Sequence, residues 1–292
     1  MIRTRSIGNA KVTNVVEYVG PTHLPHATFP DFSEDMLSSH ADWLVPTYWI
    51  PAMNRLVIAI QIWVVEVAGA VIVIDSGVGN HKPRAAQRMN MLNTLTPAWL
   101  EAAGAARERV THVVMTHLHQ DHIGWNTVLE DGRWVPTFPN ARYLTPKTEY
   151  AYFRARYDAN PLDPLAGALG DSLLPIEQAG LLDLFDATQR LADTLTVVPA
   201  SGHTPGMVTL HLASGGQCGV FSGDIVHHPL QIVYPALNTA FCIDAEKARA
   251  RRAACLADAA DREALLMPAH FPLPGCGYIR RQGEGFAFAA EE

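Results

Sequence analysis

Val110-Thr111-His112-Val113-Val114-Met115 runs straight into Thr116-His117-Leu118-His119-Gln120-Asp121-His122. The first half is mostly apolar and β-branched, the composition of a buried strand. The second half packs three imidazoles and a carboxylate into six residues, at His117, His119, Asp121 and His122. One helical face cannot hold that set, because only residues three or four apart are neighbours on a helix. On a loop at a strand end the same side chains converge, in two groups, on a point outside the sheet. Imidazole nitrogen and carboxylate oxygen are the ligands that divalent ions such as Zn²⁺ accept, at about 2.0–2.2 Å. Clustered imidazoles are costly unless bound, which sets this reading apart from an ordinary His-rich surface loop.

The complement lies downstream. Ser201-Gly202-His203-Thr204-Pro205-Gly206 follows the apolar run 196–200, Ser222-Gly223-Asp224 follows 219–221, and Pro268-Ala269-His270-Phe271 follows 264–267. Each places a ligand-type residue at the C-terminal end of an apolar run. A lone strand-end His is more often structural; the four motifs together share one context and point to one active-site edge. A weaker echo links VIVIDSG at 71–77 with GVFSGDI at 219–225.

Outside these motifs, strand-like runs are expected at 11–19, 55–67, 70–75, 195–199, 207–212, 217–222, 264–267 and 278–281. Helices are expected at 83–92, 98–103, 146–157, 172–179 and from an Asp244 cap to about 260. A hairpin is expected within 134–145 and a loop at 158–172. Strands alternating with helices make this an α/β chain. Residues 1–54, irregular and rich in Pro and aromatics, are read as an N-terminal extension packed on a core formed by 55–292.

The 292 residues carry 22 Lys+Arg against 29 Asp+Glu, a net charge of −7, which disfavours a general nucleic-acid binder. At 48% hydrophobic the chain can bury a sizeable core, so disorder is excluded. The longest apolar stretch, 56–65, is too short to span a bilayer, and the N-terminus lacks a signal-peptide h-region. Against 13 His there are 4 scattered Cys without a CxxC pair, so neither a disulfide framework nor a thiolate zinc site is expected. The expectation is a soluble cytoplasmic protein that contacts no membrane and is compatible with a homodimer.

The motif set HxHxDH, GHTPG, SGD and PAH resembles the metallo-β-lactamase fold superfamily of metallohydrolases, over roughly residues 55–281. The resemblance implies a four-layer αβ/βα sandwich. It implies one metal held by His117, His119 and His203, a second held by Asp121, His122 and His270, and Asp224 bridging both. Asp75 resembles the family's strand-end Asp that supports the site loop without ligating. Two divalent ions, Zn²⁺ with Mn²⁺ or Fe²⁺ as alternatives, would share a hydroxide that attacks an electrophilic centre, with Asp121 orienting it. No GxSxG elbow is present and no Cys adjoins a ligand motif, so a covalent mechanism is not expected.

The run Gly223 to His228 and the tail from Ala269 to Arg280 look like the organophosphate-hydrolase and lactonase branch, nearest the methyl parathion hydrolase subgroup. Acyl-homoserine lactonases usually carry Tyr three residues after the bridging Asp, where this chain has His227. That residue is read either as a catalytic or substrate-binding group, or as a packed loop His. Trp125, Phe271 and Trp49 are candidates for an apolar substrate wall; core packing is the competing reading. The function expected is hydrolysis of ester or lactone bonds in small apolar molecules. Alternatives are phosphotriester hydrolysis, a glyoxalase II-like thioesterase, a mononuclear iron persulfide dioxygenase-like enzyme, and a binding protein with structural metals.

Overall fold

The structure, a computed structural model, describes residues 1–186, 189–192 and 194–291. In chain order its strands are β1 (Ile2–Ile7), β2 (Ala10–His23), β3 (Trp49–Ile50), β4 (Arg55–Val67), β5 (Ala70–Ile74), β6 (His112–Val114), β7 (Thr127–Glu130), β8 (Arg133–Pro136), β9 (Arg142–Pro146) and β10 (Leu182–Phe185). The second half supplies β11 (Arg190–Leu191), β12 (Leu195–Pro199), β13 (Val208–Ser214), β14 (Gln217–Gly223), β15 (Leu265–Pro268), β16 (Gly277–Gln282) and β17 (Gly285–Ala290). One sheet runs β1-β2-β4-β5-β6-β9-β10, with β3 beside β4; the other runs β11 to β17 in sequence order.

Alternation along the central strands builds the layers. Trp63 and Val65 on β4, Ile72 and Ile74 on β5, and Val114 on β6 join one core with Leu210, Phe221 and Met267 of the other sheet. Their neighbours Ile62, Val64, Val71, Val73 and Val113 face the opposite way, into a core shared with Leu100 and Phe153. Those two residues belong to the helices Thr96–Ala102 and Lys147–Ala159. On the second sheet Val220 and Leu266 pack outward against Leu256 and Ala259 of the helix Ala245–Asp261. With a side-chain period of two and both faces buried, the central strands β4, β5 and β6 are almost without a solvent face. The result is the expected sandwich: helices, sheet, sheet, helices.

Several local expectations are corrected. Residues 83–92 form no α-helix, only the 3₁₀ turn Gln87–Met89. Asn90 Oδ1 accepts from the Arg84 amide at 3.0 Å, and the Lys82 and Arg84 side chains are drawn to Asp171. Those contacts compete with a helical ladder. The hairpin is β7–β8, turned by Asp131 and Gly132, both at positive φ, whereas β9 pairs in parallel with β6. Beyond the strand expected at 278–281, a further strand, β17, folds back along β16. Residues 1–54 contribute β1 and β2, and β2 is hydrogen-bonded along most of β4. Among the described residues no helix is long and apolar enough to cross a membrane.

Strands β5 and β6 are parallel, as are β14 and β15; β12 runs the same way as β14 across β13. Their C-terminal ends deliver the strand-end motifs to one edge of the sandwich.

Candidate metal centre

Each ligand-type side chain is aimed by bonds made elsewhere on its ring or loop. Asp75, at the end of β5 with φ 50°, accepts from the Thr116 amide and hydroxyl, both at 2.8 Å. It also lies 2.9 Å from His122 Nδ1, fixing that ring so that Nε2 faces the site. His270 Nδ1 donates to the Ala59 carbonyl at 2.9 Å, with the same effect on its Nε2. The loop carrying His203 is held against the loop carrying His117 by Glu149. Its buried carboxylate accepts from the amides of Leu118 at 3.1 Å and Gly206 at 2.8 Å. Only glycine fits at 206, because a Cβ there would lie 2.2 Å from the Glu149 nitrogen.

These bonds gather the ligand atoms into two groups that meet at Asp224. Its Oδ2 lies 3.1 Å from His203 Nε2 and 3.6 Å from His117 Nε2. His119 Nδ1 completes that group, 3.1 Å from His117 Nε2 and 2.9 Å from His203 Nε2. The other oxygen, Oδ1, lies 3.1 Å from His270 Nε2 and 3.3 Å from His122 Nε2. Asp121 stands beside them, 3.8 Å from His270 and 3.9 Å from His122. Ligand atoms around one tetrahedral ion are separated by about 3.3 Å when bond lengths are about 2.0–2.1 Å. The bare protein also leaves His122 Nε2 and Asp224 Oδ1 buried without a hydrogen bond. Such orphaned atoms are costly unless something coordinates them. The donor set therefore fits divalent cations.

Charge divides the imidazoles differently, because His203 lies close to the Asp224 carboxylate. Full burial, reinforced by neighbouring imidazoles, drives His117 and His119 toward the neutral form a metal ligand needs, His119 to about 3. Against the same burial, Asp224 raises His122, His203 and His270, His203 to about 9. Burial opposes ionisation of Asp224, but the surrounding imidazoles hold its carboxyl well below the usual range.

A family model described as the metallo-beta-lactamase superfamily matches residues 57–270. The chain belongs to that superfamily. No curated protein matches it. Among solved structures, the hydrolase AbOPH of the beta lactamase superfamily superposes with a TM-score of 0.83 at 22% identity, over 100% of this chain and 97% of that one. AidC, a dizinc quorum-quenching lactonase in complex with its product N-hexanoyl-L-homoserine, gives 0.80 at 22% identity, over 100% and 97%. A probable metal-dependent hydrolase from Staphylococcus aureus gives 0.77 at 18%, over 99% of both chains. The protein therefore has the metallo-β-lactamase fold.

In this superfamily member a cavity of about 410 Å³ opens over the centre, lined by His119, Asp121, His203, Asp224, His227 and His270 at its base. The three candidate aromatics lie outside it. Trp125 is buried in the outer core and donates Nε1 to Glu17 at 2.6 Å. Phe271 is fully buried against Phe288 and Tyr48, and Trp49 packs in the cluster around Phe29 and Leu37. Their size makes them core-fillers, and the apolar wall comes instead from Ile58, Ile60, Met89, Leu165, Phe241 and Ile243. Sequence reading missed Tyr18, His23, Arg88 and Cys242, which also line the cavity. Cys242, distant from every motif in sequence, places Sγ 3.9 Å from His203 Nδ1. None of the four carries a local signal: each reaches the site through long-range folding.

Proposed function

We propose that the protein is a binuclear metal hydrolase that opens ester or lactone bonds of small, largely apolar molecules. The supporting observation is the placement of Asp224, whose two oxygens face separate imidazole groups. His117, His119 and His203 would hold one ion, Asp121, His122 and His270 the other, with Asp224 between them. Zinc suits this nitrogen- and oxygen-rich donor set; manganese and iron are the alternatives. When bound, the ions supply water activation at neutral pH and Lewis-acid polarisation of the substrate carbonyl.

The chain's own groups do the rest. Asp121, exposed to the cavity, orients the attacking water through its carboxylate. His227 lines the same cavity, with Nε2 3.1 Å from Asp224 Oδ2 and Nδ1 buried without a partner. Burial holds this ring neutral, its pKa lowered to about 4 despite Asp224. With Nε2 donating to Asp224, Nδ1 is left to accept a hydrogen bond from substrate. The apolar side chains of the cavity exclude water from the substrate's hydrocarbon part.

Metal analysis joined to a substrate screen tests this reading. Purified protein should hold close to two divalent ions per chain, and His270→Ala should lose about one of them. Lactones and aryl esters should be turned over faster than thioesters or phosphotriesters, and chelation should abolish the activity. Chelator-resistant activity, or a protein without metal after non-chelating purification, would sink the proposal. A single iron with oxygen consumption would replace it by the dioxygenase reading.

A further inference from the structure

The cavity carries a cation that the protein leaves unneutralised. Arg88 lines it from the 3₁₀ turn Gln87–Met89, half-buried, and meets no carboxylate or hydrogen-bond acceptor among the described residues. Nearby arginines are treated differently. Arg84, four residues earlier, holds Asp171 at 2.6 Å, and Arg156 holds Asp163 at 2.7 Å. The chain has 29 acidic residues against 22 basic ones, yet none of those described lies within ion-pair distance of Arg88. A guanidinium withdrawn partly from water and left unpaired is a loss that a bound anion offsets.

The adjacent wall is polar but uncharged. Tyr18, Thr22 and His23, all at the cavity end of β2, line it beside the turn at 86–89. Met89 of that turn packs against Ile60 and Tyr18, which locks the turn to β2. His23 Nδ1 is engaged by the Thr22 hydroxyl at 2.7 Å, and its Nε2 makes no hydrogen bond among the described residues. Burial, and then the charge of Arg88, hold the ring neutral, with a pKa lowered to about 3. One fixed cation therefore stands beside a neutral group able to donate. The rest of the upper wall is apolar, from Ile58, Ile60, Phe241 and Ile243.

We infer that Arg88 and His23 form an oxyanion-recognising subsite in the wall of the cavity, and that the preferred esters or lactones carry a carboxylate on the apolar part remote from the scissile bond. Arginine pairs with a carboxylate through parallel N–H donors, and the apolar surroundings strengthen that bond. His23 Nε2–H supplies a further donor to the same group. The inference rests on the ester- and lactone-cleaving reading for its substrate class, but its residues can be tested without turnover.

Two ester probes with acyl chains of equal length separate the outcomes: 4-nitrophenyl hexanoate, and the 4-nitrophenyl monoester of adipic acid, which ends in a carboxylate. The metal-loaded wild-type protein should prefer the adipate monoester in kcat/KM by about 10-fold or more. Arg88→Met should collapse that ratio, mainly through KM, and Arg88→Lys should restore part of it. A ratio that is the same in Arg88→Met and wild type overturns the subsite. Calorimetry with adipic acid monoanilide and hexananilide gives the second arm. Arg88-dependent binding of the carboxylated anilide, in a protein that turns over neither ester, upholds the subsite and removes the hydrolase reading. Equal binding of the two anilides to wild type removes the subsite whatever the turnover.

Discussion

Glu17 is a buried carboxylate with three donors aimed at it. The Val78 amide reaches it at 2.6 Å, the Gly79 amide at 3.2 Å and the Trp125 indole at 2.6 Å. Burial nevertheless dominates, and with a smaller push from the charge of Asp121 the carboxyl is raised from 4.5 to about 7. The folded protein therefore binds a proton that the unfolded chain has released between those values. Stability from this group is complete below 4.5 and is lost as pH rises through about 7. Glu17→Gln should remove that slope. Measured by urea unfolding across this window, the variant should gain on wild type with rising pH, by up to about 3 kcal/mol. A constant difference between the two proteins would show that Glu17 does not titrate there. The contrast with the seven ligand-type residues is instructive about legibility. His117, His119, Asp121 and His122 lie within one loop, and His203, Asp224 and His270 each end an apolar run, so local patterning exposes them. Glu17 sits in the middle of a strand, and nothing local distinguishes it from a solvent-facing carboxylate. Its role exists only because β2 passes beneath two site loops.

At the scale of elements, those two loops behave as one unit. Ser76 donates its amide to the His122 carbonyl at 2.6 Å, Gly124 to Gly77 at 2.7 Å, and Trp125 to Ser76 at 2.8 Å. They cross so closely that a Cβ on Gly124 would stand 1.9 Å from both the carbonyl carbon and oxygen of Val78. Gly124→Ala must push the loop after β5 away from the loop after β6. A loss of about 2–4 kcal/mol in stability is expected, together with weaker metal retention against a chelator. Wild-type melting and metal content in this variant would show that the crossing is not a constraint. The strands that end in these loops were readable because their apolar runs are long and end abruptly in polar residues. The helix expected over 83–92 failed for a different reason. Its pattern of Ala, Gln and Arg suits a helix, but Asp171, far along the chain, captures Lys82 and Arg84. An ion-pair partner 89 residues away leaves no trace in a local window. The echo between 71–77 and 219–225 proved structural: β5 and β14 occupy interior positions in their respective sheets and each leads to a site carboxylate, Asp75 or Asp224.

At the scale of the molecule, the first 54 residues tie the sandwich together. Strand β2 pairs with β4 from Lys11–Glu66 to His23–Leu56, and β1 covers the outer side of β2. The turn between them reaches the second sheet, where Gly8 donates to Gln217 at 2.6 Å and Asn9 to Ser214 at 3.0 Å. At the other end of the chain, Arg5 meets Glu291 at 2.7 Å, just beyond β17. Pro and aromatic residues crowding 21–51 point to an extension packed on the core; the run 11–19 is legible as a strand, whereas β1, with Arg3 and Arg5 in its middle, is not. A division of the chain at residue 54 makes a sharp prediction on this geometry. A fragment of residues 55–292 would present β4 as a bare edge whose residues Leu56 to Val65 are all buried in the whole protein. Long apolar edge strands pair with other chains instead of staying in solution. The fragment should therefore aggregate on expression, and adding residues 1–54 back in the same chain should restore a monodisperse protein. It would also lack Tyr18 and His23, two walls of the cavity. A soluble fragment with the near-ultraviolet dichroism and metal content of the full chain would show that the site needs only 55–292. Aggregation would show that β2 is part of the minimal folding unit, and that the substrate cavity and the fold share the same N-terminal strand.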